Sequence, residues 1–162
     1  MSDFTKIDLY LEQNLDRSLD ELSKLVAQPS ISAQNLGLKE CAQLVAGMLE
    51  ARGFKCQIMD TDGAPVVFGE RKGRSDKTLM FYNHYDVQPP EPLELWDTPP
   101  FEPSRRDGKM YGRGISDDKG HIVSRLHAID AILANEGELP CNIKFIIEGE
   151  EETSSVDRKS VV

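Results

Sequence analysis

The stretch Gly112–Gly120, GRGISDDKG, sets two adjacent carboxylates and a lysine between a glycine-rich turn and a strongly periodic segment. After it, Ile122, Val123, Leu126, Ile129, Ile132 and Leu133 recur at helical spacing, which predicts a helix from Lys119 to about Asn135, closed by Gly137. Gly112 and Gly114 let the backbone bend tightly, so that a carboxylate can be presented where a strand turns into a helix. Either Asp117 or Asp118 could instead cap the helix and satisfy its free N–H groups. Capping alone does not require two carboxylates followed by Lys-Gly. A phosphate-binding loop is excluded, because the glycine spacing fits neither GxGxxG nor GxxxxGKS/T and the aspartates would repel phosphate.

Two further acidic segments stand at the ends of apolar runs. The first run, Thr78–Tyr82, is apolar enough to be a central strand and leads into Asn83–Asp86, NHYD. At the end of a strand, His84 and Asp86 share a face. The carboxylate can then hold one imidazole nitrogen while the other binds a metal. The second run, Asn142–Ile147, leads into Glu148–Glu152, EGEEE. An acidic run is usually a solvated loop. At a strand end it can also supply one glutamate as metal ligand and its neighbour as general base. Three acid-bearing segments, each at the end of a regular element, point to a metal site.

The rest of the chain reads as a scaffold. Phe4, Ile7, Leu11, Leu15, Leu19, Leu22 and Leu25 predict one amphipathic helix from Phe4 to about Ala27, stopped by Pro29. A second helix is expected from Leu38 to Arg52, with Gly53 as its stop, followed by strands at Phe54–Met59 and Pro65–Gly69. Alternating helix and strand gives an α/β fold. Val87–Pro103 holds most of the prolines and reads as a long stiff loop anchored by Trp96 and Phe101, and Lys109–Tyr111 as a short strand. His121 and His127 read as surface or packing residues.

A chain of 162 residues with 39% hydrophobic residues fits one domain with a sizeable core. Its net charge of −9 argues against nucleic acid or an anionic membrane as partner. No apolar run reaches membrane-spanning length, and the N-terminus lacks a signal-peptide pattern. Cys41, Cys56 and Cys141 are odd in number and far apart, as expected for reduced thiols in a cytoplasmic protein.

Taken in order, HYDVQP (84–89), Trp96, the PFEP of 100–103, DGKMYGRGISDDKG (107–120) and EGEEE resemble the zinc metallopeptidase family of carnosinase-type dipeptidases, glutamate carboxypeptidase, acetylornithine deacetylase and succinyl-diaminopimelate desuccinylase. The resemblance runs to about Ser155, and HYDVQP and DDKG lean toward its dipeptidase branch. It implies a three-layer αβα zinc-exopeptidase-like catalytic domain. It implies two Zn2+ ions, with His84 on one, Glu152 on the other and Asp117 bridging both; Mn2+ and Co2+ suit the same donors. Asp86, orienting His84, and Glu151, the general base, are the implied catalytic residues. The glutamate pair is put at 151 and 152 because Thr153–Ser155 supply the small residues that follow such a pair, although the usual glycine near 154 is absent. The Asp117–Asp118 peptide is expected to be cis. The implied substrate is a small peptide or an N-acyl amino acid.

The family also uses an acidic residue shortly after the glutamate pair, a histidine near the far C-terminus, and an inserted lid domain that reads the substrate and often makes a homodimer. None of these is present. Residues 1–156 therefore correspond to the N-terminal part of a catalytic domain, expected to be inactive alone. The closing DRKSVV (157–162) is what GATCGGAAGAGCGTCGTG encodes, a sequencing-adapter sequence, and is expected to be an artefactual tail. The competing reading is a non-catalytic acidic metal-binding or interaction module.

Overall fold

The computed structural model describes residues 4–155, and the tail expected at 157–162 lies outside the described residues. Four α-helices and six strands follow one another: α1 (Thr5–Gln13), α2 (Leu15–Ala27), α3 (Leu38–Glu50), β1 (Lys55–Met59), β2 (Val66–Arg71), β3 (Thr78–His84), β4 (Ser104–Arg106), β5 (Lys109–Tyr111), α4 (Lys119–Glu136) and β6 (Asn142–Glu148). The main sheet has the order β1-β2-β6-β3, with β1–β2 and β2–β6 antiparallel and β3 parallel to β6. Helix and strand mix as the periodicities predict. Of the three layers expected, the described residues supply the sheet and one helical layer.

The core lies between that layer and one sheet face. Val67, Phe145 and Ile147 from the strands pack with Leu25 and Val26 of α2, Val45 and Leu49 of α3, and Ile122 and Leu126 of α4, all fully buried. Alternation along the strands sends Phe68, Ile146, Met80 and Tyr82 to the opposite face, where Met80 is 58% exposed.

Two expectations are corrected. The single N-terminal helix is two helices, broken at Asn14, whose Nδ2 donates to the Tyr10 carbonyl at 2.8 Å. The Asn14 backbone N–H donates to the same carbonyl at 3.0 Å, and the chain leaves helical geometry at this residue, with φ −110° and ψ 12°. The break leaves α1 with no buried residue. Likewise β3, expected to be central, is an edge strand among the described residues, because β6 pairs with only one of its sides. Its apolar side chains are largely exposed until Asn83 and His84.

The proline-rich loop is anchored at Trp96, one of the two aromatic residues expected to hold it. Trp96 Nε1 donates to the Pro90 carbonyl at 2.7 Å, with the Arg113 guanidinium 5.4 Å from the indole ring. The short strand at Lys109–Tyr111 pairs with Ser104–Arg106 across Asp107-Gly108, both at positive φ. That dipeptide is a strong hairpin signal which the proline count obscured.

Candidate metal centre

Parallel pairing puts His84, the last residue of β3, opposite Glu148, the last of β6. The segments leaving the two strands therefore emerge at the same sheet end, the side on which open α/β sheets bind ligands. The turn before α4 arrives there as well, and the three acid-bearing segments converge.

His84 is 8% exposed and is addressed on both ring nitrogens. Its Nδ1 lies 3.3 Å from Asp86 Oδ1 and 3.2 Å from the Asp86 carbonyl; its Nε2 lies 3.0 Å from Asp117 Oδ1 and 3.9 Å from Glu151 Oε2. Burial works against the imidazolium, yet the hydrogen bond and charge of Asp86, with the charges of Asp118 and Glu151, outweigh it and hold His84 up at about 9. A metal on Nε2 would require the neutral imidazole.

Asp86 is fully buried, and its carboxylate also accepts the backbone N–H groups of Glu151 at 3.2 Å and Glu152 at 3.0 Å. One side chain thus orients the histidine and anchors the glutamate turn. Within that turn Glu150 packs its carboxylate against Gly63, where an added Cβ would lie 2.0 Å from Oε1. Glu151 faces His84, and Glu152 accepts from Gln88 Nε2 at 2.7 Å.

His84, Asp117 and Glu152 each offer one ligand atom within 4.8 Å of the others, which fits a divalent cation. Asp117 is 75% exposed, with Oδ1 held toward His84 Nε2; Asp118 is turned inward. The peptide between them is cis, as expected.

Asp118 caps nothing with its side chain. Its Oδ2 accepts from Asn83 Nδ2 at 2.6 Å and from the His84 backbone N–H at 3.1 Å, and its Oδ1 meets His121 Nδ1 at 2.5 Å. Asn83, Gln88 and His121 are thus site residues that sequence reading passed over. Gln88 stands within HYDVQP, but a neutral amide carries no ligand signature. The next residue after Asp118, Lys119, is fully buried and donates from Nζ to the Leu25 and Gln28 carbonyls at 3.1 and 2.7 Å, tying the turn to the end of α2.

Residues 80–161 match the family described as Peptidase family M20/M25/M40. The chain belongs to that family. Among M20 relatives it is 37% identical over 156 residues to a succinyl-diaminopimelate desuccinylase of Paracidovorax citrulli, covering 91% of this chain and 39% of that protein. Human carnosine dipeptidase 1 superposes with a TM-score of 0.92 at 33% identity, over 99% of this chain and 37% of the other. An M20 metallo-carboxypeptidase from Sulfolobus solfataricus gives a TM-score of 0.83 at 40% identity, over 88% and 33%. These relatives are hydrolases by name, and the chain spans less than two fifths of the length of each. No helix among the described residues is long and apolar enough to cross a membrane.

Proposed function

We propose that the chain is the N-terminal part, residues 1–156, of the catalytic domain of a cytoplasmic, dinuclear zinc hydrolase that cleaves the amide bond of a dipeptide-like substrate. The convergence of His84, Asp117 and Glu152 within 4.8 Å carries this reading. His84, Asp117 and Glu152 would hold the ions, His84 serving one, Glu152 the other and Asp117 both, and Mn2+ or Co2+ would suit the same oxygen and imidazole donors. Such ions, when bound, polarise an amide carbonyl and acidify water. Glu151, whose Oε2 is 3.9 Å from His84 Nε2, takes a proton from the attacking water and returns it to the leaving amine. Asp86 keeps His84 in the tautomer that leaves Nε2 for the ion.

The chain alone does not turn over. Three ligands are too few for two ions, and the implied further acidic ligand, the C-terminal histidine and the dimer-forming lid have no counterpart in residues 4–155. A second reading, an N-acyl amino acid deacylase, is favoured by the desuccinylase relative at 37% identity.

Zinc-loaded chain, alone and joined to the remaining part of an M20 relative, is assayed on dipeptides and on N-succinyl amino acids. No turnover alone, and turnover by the joined protein that Glu151→Gln abolishes, is the expected result; the preferred substrate decides between the two readings. Hydrolysis by the chain alone, or an active Glu151→Gln protein, would overturn the proposal.

A further inference from the structure

Two of the three ligand candidates are joined by a closed circuit of short contacts. Asp117 is bonded through its peptide to Asp118; the Asp118 carboxylate accepts the backbone N–H of His84 at 3.1 Å; and His84 Nε2 returns to Asp117 Oδ1 at 3.0 Å. The His84 N–H turns to Asp118, while the neighbouring Tyr85 N–H bonds the Glu148 carbonyl at 2.8 Å. Asp118 is also braced from behind. Asn83, 1% exposed, donates to it at 2.6 Å and itself accepts from Arg125, which donates to the Tyr82 carbonyl at 2.9 Å as well. The Asp118 side chain is only 11% exposed, and its carboxylate carries the charge that makes these bonds strong.

We infer that Asp118 is a positioning residue of the metal centre, which sets the spacing of His84 and Asp117 by gripping the His84 backbone from the residue next to Asp117. It touches no ion itself. A ligand pair is useful to a cation only at the right separation, and outer partners of ligands are typically worth 10–100-fold in metal affinity. This inference rests on the metal-centre reading above, but the contact it invokes exists without metal.

The test compares wild-type chain with Asp118→Asn and Asp118→Ala in two measurements. Amide hydrogen exchange, read by NMR without metal, reports the grip directly: the His84 amide exchanges about tenfold or more faster in Asp118→Ala, while the amides of Phe81 and Phe145 keep their protection. Zn2+ titration of protein verified as folded by circular dichroism reports the consequence: affinity falls about 10–100-fold in Asp118→Ala, and Asp118→Asn, which keeps an acceptor oxygen for His84 and Asn83, restores most of it. Unchanged His84 exchange in Asp118→Ala overturns the inference, as does an Asp118→Ala affinity within about twofold of wild type. General loss of protection across β3 and β6 in Asp118→Ala would assign it a merely structural role and overturn it too. Wild-type protein that binds no Zn2+ sinks the metal-centre reading, while the exchange result still decides what holds His84.

Discussion

The backbone N–H of Glu152 donates to Asp86 Oδ2 at 3.0 Å, joining two residues 66 apart in sequence. Glu151 donates to the other oxygen of the same carboxylate, so a single buried aspartate locks the glutamate turn to the end of β3. Asp86→Ala strands two donors and removes the carboxylate beside His84 Nδ1, leaving that nitrogen only the Asp86 carbonyl at 3.2 Å. It is expected to lower stability by about 2–4 kcal/mol, measured by urea denaturation. Asp86→Asn, which keeps one acceptor oxygen, costs less. Equal stability of Asp86→Ala and wild type would mean that the turn is held elsewhere.

Gln88 is exposed, and its amide donates to the Glu152 carboxylate. Gln88→Leu is expected to leave the fold within about 0.5 kcal/mol of wild type, as for surface changes generally. Zn2+ affinity falls roughly tenfold, the low end for an outer partner of a ligand. Calorimetric titration beside a thermal melt separates the two quantities, and a loss of melting temperature without loss of affinity would refute the assignment.

Gly120 packs against backbone: an added Cβ would meet the Ile115 carbonyl oxygen at 2.0 Å. Because a carbonyl cannot rotate away as a side chain can, Gly120→Ala is expected to destabilise by about 1–3 kcal/mol or more. The change also pushes the turn that carries Asp117 off its seat. A melting temperature equal to that of wild type would show that the turn tolerates the shift.

Far from the centre, Arg52 clamps α2 to α4 through Glu21 at 2.7 Å and Asp130 at 2.8 Å, with His127 3.2 Å from Glu21. Burial pushes the Glu21 carboxyl up, but hydrogen bonds and charge from His127 and Arg52 prevail and hold it down at about 2, against an ordinary 4.5. A depressed carboxyl contributes stability that is present above 4.5 and lost as pH falls toward 2. The interval corresponds to about 3 kcal/mol. Glu21→Gln is therefore expected to flatten the acid limb of the stability profile in urea melts between pH 5 and about 2. An unchanged limb would locate the acid sensitivity in other carboxylates.

The candidate metal centre is legible in sequence to the extent that it is written in charged residues at element ends. Acids at the ends of apolar runs pick out the three segments, with His84 and Asp86 paired in the first, whereas Asp117 rather than Asp118, and Glu151 with Glu152 rather than Glu150, are named by the family resemblance alone. Asn83, Gln88 and Asp118 act through neutral amides or toward backbone groups, and only the pairing of β3 with β6 reveals what lies within their reach. The fold shows the same division. Periodicity found four strands of the main sheet, α3 and α4, but could not see the chain leave helical geometry at Asn14 and split the first helix. Nor does an apolar run state how many neighbours a strand has, so Thr78–His84 reads as central although β6 alone pairs with it among the described residues.

Titrating Zn2+ into wild-type chain, His84→Ala and Glu152→Ala by calorimetry tests the metal centre most directly. Wild type is expected to bind saturably, and each substitution to remove binding while the circular dichroism spectrum stays unchanged. Wild-type heats no larger than dilution, or His84→Ala binding as tightly as wild type, would contradict a metal centre at these residues.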